Sequence, residues 1–264
     1  DIEKAAIKKA KALFEQGYAL MSKHKRYSEA VEYFTNAINT HPEPRFHFYR
    51  AQCYKHMRDY DRSILDYIQA ITEEPLPYYI LHRGICFTTR ANEHVNSQER
   101  EKDLNFSIRD FNLALNEMAK RTTDGKKTGD DIKTLFLLYL NRGITHLEMK
   151  QKERAIEDFT RSIDTMVAYK PTNPQLFKPY FFRGNTLREI GRLEESIEDL
   201  TKAAELETRN SAVQNNLGLS LYELGKFETS IQRYTNAIEI DPDVAPYYNN
   251  RGLGYYRLKE YEKS

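Results

Sequence analysis

A pattern of small and large residues recurs along the chain and constrains its fold more than any other feature. Two small residues stand 12 positions apart in most copies, a large residue follows after four more positions, and another small residue after a further three. The pairs of small residues are Gly17/Ala30, Ala51/Ser63, Gly84/Ser107, Gly143/Ala155, Gly184/Ser196, Gly218/Ser230 and Gly252/Ser264. The last three copies repeat with a period of 34 residues. Such a period indicates stacked units that bury their apolar sides against one another.

The spacing within each copy is helical, because steps of three and four residues keep the side chains on one helical face. The small residues let two helices approach closely, and a large side chain fills the space beside them. Six large residues occupy this position: Phe34, Tyr67, Phe111, Phe159, Leu200 and Tyr234. A proline follows in three copies and ends the second helix. The sequence therefore predicts an all-α chain built from helix pairs.

These residues resemble the tetratricopeptide repeat (TPR) family, whose pattern is W-x2-L-G-x2-Y, then A-x3-F-x2-A, then P. The clearest copy runs from Leu217-Gly218 through Ser230 and Tyr234 to Pro242. The chain departs from the pattern in having no Trp, and in placing Arg before the small residue where the family has Leu. That Arg occurs as Arg50, Arg83, Arg142, Arg183 and Arg251. The resemblance implies a right-handed α-solenoid of antiparallel helix pairs, a TPR superhelix with about six full repeats and one partial repeat.

Insertions interrupt the array. The third repeat carries a polar insertion near residues 88–106, which we expect to form extended helix ends or a protruding loop. Residues 120–130 are rich in Gly, Thr and Lys and predict a flexible loop. We therefore expect one TPR array over 1–264, with blocks 1–119 (repeats 1–3) and 131–264 (repeats 4–7, the last one partial). No polar cap is visible at the C-terminal end, so we expect further chain, a partner, or self-association through this uncapped end.

Composition narrows the function classes. With 40 basic and 39 acidic side chains, the net charge of +1 argues against nucleic-acid binding. No apolar run approaches the ~20 residues that span a membrane, so membrane insertion is not expected. Cys53 and Cys86 stand at equivalent positions of neighbouring repeats. They predict buried thiols in a reducing compartment, and hence a cytoplasmic or nuclear protein.

No catalytic constellation is evident. The seven histidines lack metal-ligand spacing, and the sequence contains no P-loop, G-x-G-x-x-G or G-x-S-x-G motif. His146 takes the repeat position usually given to Tyr, so we expect it to pack within its helix pair. We therefore predict no catalytic residue, no metal and no cofactor, and classify the chain as a non-catalytic protein-interaction scaffold.

The resemblance also implies a binding surface, because the first helices of TPR pairs line a concave groove. Asparagines at groove positions present a donor and an acceptor to an extended peptide, like the ladder in the repeat arm of O-linked sugar transferases. Nearby aromatic residues predict pockets for anchor side chains. The residues predicted to bind a peptide or helix of a partner protein are Asn141, Phe181, Phe182, Asn185, Arg188, Asn215, Asn216, Tyr222, Asn249, Asn250 and Tyr256.

Two alternatives share the same fold. The chain is either such a scaffold or a recruiting arm of a larger enzyme or of a co-chaperone. In co-chaperones of this family a clamp of Lys, Asn and Arg side chains holds an acidic C-terminal tail. Aromatic residues and a histidine occupy those positions here, namely Phe14, Tyr18, Tyr49, Tyr78 and His82. We therefore expect no such clamp in the first three repeats.

Overall fold

A computed structural model describes residues 2–121 and 127–263, with only the backbone described at 260–263. Every regular element in these ranges is helical, which confirms the predicted all-α class. The α-helices of the described ranges are α1 (Ile2–His24), α2 (Tyr27–Thr40), α3 (Pro44–His56), α4 (Tyr60–Glu73), α5 (Pro77–Ala91), α6 (Ser97–Arg121), α7 (Gly129–Glu148), α8 (Lys152–Tyr169), α9 (Phe177–Glu189), α10 (Leu193–Leu206), α11 (Ser211–Glu223), α12 (Phe227–Ile240) and α13 (Ala245–Lys263). A short 3-10 helix, Pro174–Leu176, precedes α9.

Local sequence signals set several helix starts. Pro44 and Pro77 are the first residues of α3 and α5, where the fixed φ of proline favours the helix and its missing N–H loses no bond. Before α4, the Asp59 carboxylate accepts a hydrogen bond from the backbone N–H of Arg62 at 3.3 Å. This side chain satisfies one of the free amide groups of the first turn.

A residue with left-handed backbone closes the turn inside five of the helix pairs. Gly191 and Gly225 adopt φ of 80° and 83°, while Lys25, Arg58 and Lys150 adopt φ of 53°, 63° and 59°. This conformation reverses the chain in a few residues and returns the second helix antiparallel to the first. Glycine adopts it without the steric cost that Cβ imposes.

The predicted pairing of small and large residues is confirmed. A methyl group added to Gly218 would lie 2.6 Å from a ring carbon of Tyr234, and one added to Gly84 would lie 2.7 Å from Phe111. The same close approach joins Gly17 to Phe34, Gly143 to Phe159 and Gly184 to Leu200. The helices of these five pairs are therefore so close that the large side chain occupies the space a residue larger than glycine would need.

The described chain divides into two compact units between Thr134 and Leu135. In unit 1, α1–α6 form three successive helix pairs, and α1 also contacts α3. In unit 2, α9 contacts α11 and α11 contacts α13, so these three first helices lie side by side. The predicted block boundaries at 119 and 131 stay predictions. The predicted flexibility of residues 120–130 does too, since 122–126 lie outside the described residues.

The insertion of the third repeat lengthens a helix. Helix α6 has 25 residues and starts at Ser97, so the inserted residues form its N-terminal turns. Asp103 on these turns accepts two hydrogen bonds from Arg90, at 2.6 and 2.7 Å. Of the two forms expected for this segment, the extended helix end is the one present, and an ion pair attaches it to α5.

Candidate functional site

Four of the predicted asparagines form a continuous hydrogen-bonded chain across unit 2. Asn250 on α13 donates to Asn215 at 2.9 Å, Asn215 donates to Asn216 at 3.3 Å, and Asn216 donates to Asn185 on α9 at 3.0 Å. Each of these contacts runs from a side-chain amide nitrogen to an amide oxygen, all in the same direction. The amide chain, as we call these four residues, therefore spans three neighbouring first helices with its amide orientations fixed.

The repeat places these amides on neighbouring first helices. Asn216 and Asn250 stand 34 residues apart, at the same position of successive first helices. Asn185 directly follows Gly184, where an added methyl group would lie 2.9 Å from Leu200. In each contact of the amide chain, the donating amide uses one of its two N–H groups and the accepting oxygen uses one of its two acceptor sites. The half-buried asparagines of the amide chain therefore keep free donors and acceptors that a ligand can use.

The predicted aromatic residues fall into two groups. Phe181 and Phe182 are half-buried and contact each other edge to face, with ring centres 5.8 Å apart. Phe182 stacks on Phe159 of the core and Phe181 stacks on Phe177, so much of their surface is already occupied. Tyr256 is 61% exposed and remains available to a partner.

The other predicted site residues have separate contacts. Asn141 donates to the backbone oxygen of Leu137 on its own helix at 2.7 Å, and is not joined to the amide chain. Arg188 forms an ion pair with Glu223 on α11 at 2.7 Å.

The remaining two predicted residues lie on α13 and α11. Asn249 is exposed on α13. Tyr222 packs edge to face on Phe227 and accepts a hydrogen bond from Arg257. Ligand binding by these residues stays a prediction.

The arginines that depart from the family pattern have a role that the sequence reading missed. Arg183 donates two hydrogen bonds to Asp199, at 2.6 and 2.8 Å, and Arg142 does the same to Asp158. Equivalent pairs join Arg50 to Asp66 and Arg83 to Asp110. In each pair the Asp lies three residues after the second small residue of the repeat. That fixed offset was a detectable signal.

These ion pairs are largely shielded from water. The Asp66 side chain is 8% exposed and also lies 3.3 Å from His47. Burial alone would raise the pKa of the Asp66 carboxyl, but hydrogen bonds from Arg50 and His47 outweigh it and the pKa lies below its ordinary value. His146 is buried within its pair, 2.8 Å from Gln151, as predicted from its repeat position.

A second surface, on unit 1, was not among the predicted sites. Tyr18 on α1, Tyr49 on α3 and Tyr78 on α5 line a cavity of about 380 Å³ together with Phe48. Tyr18 and Tyr49 meet edge to face at 5.2 Å, while Phe48 lies 5.4 Å from Tyr78. We call this the tyrosine cavity. Its rim also carries Glu15 and Arg45, and Arg45 lies 4.8 Å above the ring of Phe14.

Two basic side chains of unit 1 lie in unusual surroundings. His82 packs edge to face on Tyr78 and on Phe48, at 4.5 and 5.3 Å. Both ring nitrogens are buried and have no hydrogen-bond partner among the described residues. Burial, with a smaller contribution from the charge of Lys55, lowers the pKa of His82 to about 3. Burial also lowers the pKa of Lys55.

The described residues contain neither a metal-binding cluster nor a membrane-spanning helix. No group of three or more His, Cys, Asp or Glu side chains within them is arranged to hold a metal ion. No helix in the described ranges has the length and apolar character needed to cross a membrane. Cys53 and Cys86 are both free and buried, as predicted.

Comparison with known proteins agrees with the geometry of the helix pairs. Family models described as tetratricopeptide repeat match residues 14–78, 137–165 and 177–210, and a model described as TPR repeat matches 218–259. No curated protein matches the sequence.

Solved structures share the fold at low sequence identity. Pseudomonas aeruginosa pilF has a TM-score of 0.70 at 12% identity, covering 94% of this chain and 99% of that one. YrrB has a TM-score of 0.58 at 16% identity, covering 84% and 99%. The APC/C Cut9–Hcn1 structure has a TM-score of 0.64 at 16% identity and covers 96% of this chain, which spans 45% of that chain. With matching repeat models in both units and the helix pairs of this fold, the chain belongs to the tetratricopeptide repeat family.

Proposed function

We propose that this chain is a non-catalytic protein-interaction scaffold whose first helices in unit 2 bind an extended peptide or a helix of a partner protein. The observation that carries the proposal is the amide chain of Asn185, Asn216, Asn215 and Asn250. Amides whose orientation is already fixed lose little freedom when they hydrogen-bond a ligand backbone. YrrB, which shares the fold, is described as a TPR protein with an unusual peptide-binding site.

The residues around the amide chain fit the same role. Exposed Tyr256 and half-buried Tyr222 supply aromatic surface for anchor side chains. Phe181 and Phe182 present apolar edges on α9. The near-neutral net charge of +1 favours recognition by hydrogen bonds and apolar contacts over electrostatic steering. A ligand held in this way is selected by its backbone and by a few anchor side chains.

A peptide-display library tests the proposal. Peptides selected on the wild-type chain are measured against a double variant, Asn216→Ala with Asn250→Ala. Each lost hydrogen bond is worth about 1 kcal/mol, so we expect affinity to fall about tenfold or more. Asn236→Ala, on the second helix α12, is the matched control and should leave binding intact. Unchanged affinity in the double variant removes the amide chain from the binding surface.

The recruiting-arm alternative, for a larger enzyme or a co-chaperone, uses the same surface and differs in what is joined to it. A catalytic domain in the same polypeptide would favour this alternative.

Self-association is a third hypothesis and would use α13, where Leu253 and Tyr255 are 53% and 56% exposed. Light scattering over a range of concentrations tests it, since a constant monomer mass excludes it. The cytoplasmic or nuclear location also stays a proposal, supported by the two free thiols.

A further inference from the structure

The insertion of the third repeat gives α6 two turns that the other second helices lack. Helices α2, α4, α8, α10 and α12 each begin three residues before the second small residue of their repeat. Helix α6 begins at Ser97, ten residues before Ser107. Its extra turns are held against α5 by Asp103, which accepts two hydrogen bonds from Arg90. Neither the amide chain nor the tyrosine cavity includes a residue of these turns.

One face of α6 lies open along the extra turns and beyond them. Two cavities follow one another on this face. The first, of about 370 Å³, is lined by residues of α6, and the second, of about 660 Å³, is lined by residues of α4, α5 and α6. Phe106 and Arg109 line both, so the two cavities form one continuous groove. We call it the α6 groove.

The length of the α6 groove matches a helix. Its lining residues on α6 run from Gln98 to Asn116. At about 1.5 Å per residue this face is about 27 Å long, the length of a helix of about 18 residues. Two of the walls are the second helices α4 and α6, and a third helix packs on such a pair by placing its side chains between theirs. The shape of the groove therefore favours a helical ligand.

The groove offers apolar surface from three helices. Ile68 on α4 and Leu113 on α6 are 43% and 41% exposed. Phe87 on α5 and Phe106 on α6 are half-buried, with ring centres 5.2 Å apart. Apolar side chains that share one groove mark an interaction surface, whereas scattered ones do not. The apolar stripe of an amphipathic helix would cover them and lose contact with water in the same step.

The charges of the groove define the flanks of the ligand helix. Lys102 and Arg109 lie 5.8 and 6.0 Å from the centre of the same aromatic ring, and neither forms an ion pair with a carboxylate that the structure describes. Two carboxylates line the groove. Asp110 already accepts hydrogen bonds from Arg83 at 2.6 and 2.8 Å, and Glu101 is exposed. Two cations therefore stand against one free carboxylate, and acidic side chains complement this surplus.

We propose that unit 1 binds an acidic amphipathic helix of a partner protein in the α6 groove. The apolar stripe of this helix packs on Ile68, Phe106 and Leu113. Its Asp or Glu side chains form ion pairs with Lys102 and Arg109. The site lies mainly on second helices, is separate from the amide chain of unit 2, and goes beyond the function proposed above.

A display library of helices of about 18 residues tests the proposal. Its members share an alanine-based scaffold, vary among Leu, Ile, Phe and Met along one stripe, and vary among Glu, Gln and Lys beside that stripe. We expect the helices selected on the full chain to carry Glu beside the stripe. Fluorescence anisotropy of one such acidic helix then gives its affinity. Replacing its Glu by Gln should weaken binding about tenfold or more, and a central proline should abolish binding because it breaks the helix.

Charge reversal connects the acidic helix to the groove. Lys102→Glu with Arg109→Glu replaces attraction by repulsion, so we expect affinity to fall about tenfold or more. Lys8→Glu with Lys11→Glu makes the same change in net charge at exposed positions of α1 and should leave binding intact. The double asparagine variant of the amide chain should also leave it intact, so failure of one site is distinguishable from failure of the other.

The proposal is overturned if the library yields no helix that binds, if the selected helices lack carboxylates beside the stripe, or if affinity survives the charge reversal in α6 or the central proline. Should the charge-reversed chain not fold, amide hydrogen exchange of the wild-type chain replaces it. The acidic helix must then slow exchange in α4 and α6, and protection that leaves these two helices unchanged would refute the site.

Discussion

The guanidinium of Arg183 donates two hydrogen bonds, at 2.6 and 2.8 Å, to the carboxylate of Asp199 on the partner helix of its pair. Their side chains are 18% and 4% exposed, and Arg183 also donates to Thr160 of the preceding pair at 2.9 Å. One residue thus connects three helices. Asp199→Asn leaves a shielded guanidinium without its counter-ion, so we expect the chain to lose about 3 kcal/mol of unfolding free energy.

Urea unfolding at neutral pH measures this loss. The control is Glu195→Gln, which breaks the exposed pair between Arg192 and Glu195, where the side chains are 48% and 52% exposed. Exposed pairs contribute about 0–1 kcal/mol, so this variant should unfold almost as the wild type does. Equal losses in the two variants would contradict a special role for the buried pair.

Gly218 and Gly252 occupy the same repeat position in different surroundings. A methyl group on Gly218 would lie 2.6 Å from Tyr234, whereas one on Gly252 would meet no atom of the described residues within 4 Å. We expect Gly218→Ala to destabilise the chain by about 1–3 kcal/mol through overpacking. Gly252→Ala should be neutral or stabilising by up to about 1 kcal/mol, because alanine favours the helix. Thermal unfolding of both variants measures the difference. Similar melting temperatures would show that packing against the Tyr234 ring does not require glycine at position 218.

The sequence predicted those parts of the fold that depend on contacts at fixed spacing. The approach of Gly218 to Tyr234 follows from the repeat alone, since helical geometry places both residues on facing sides of one pair. The ion pair of Arg183 with Asp199 was missed, although its spacing of 16 residues recurs in Arg50/Asp66. The family pattern has Leu at this position, so the Arg was interpreted only as a departure from the pattern and its contact with an Asp was not predicted.

The candidate sites were less predictable, because hydrogen-bond direction and burial depend on packing. Groove positions identified Asn185, Asn216 and Asn250, but only the structure shows that they join through Asn215.

The pH dependence of stability should report on His82. Burial lowers its pKa in the folded chain to about 3, whereas an unfolded histidine has a pKa of about 6.5. Between these values the unfolded state binds more protons, so stability falls as the pH is lowered through about 6.5. We expect the wild type to lose about 1–2 kcal/mol more than His82→Gln between pH 7 and pH 5. Parallel losses in urea titrations of the two proteins would show that His82 protonates freely in the fold.

The two thiols should be unreactive until unit 1 opens. Cys53 and Cys86 are fully buried, and burial raises the pKa of Cys53 to about 12 and also raises that of Cys86. The thiolate is the reactive form, so we expect neither residue to react with an aromatic disulfide reagent in the native chain, and both to react in urea. Ser22→Cys places a thiol at an exposed position of α1 and should react at once, which shows that the reagent is competent.

Because the chain has only these two cysteines and both precede Thr134, the urea dependence of labelling measures the opening of unit 1 alone. The same assay can therefore follow His82→Gln without interference from unit 2. Rapid labelling of the wild type in buffer would mean that unit 1 opens readily, and would contradict the tight packing of Cys53 and Cys86 between its helices.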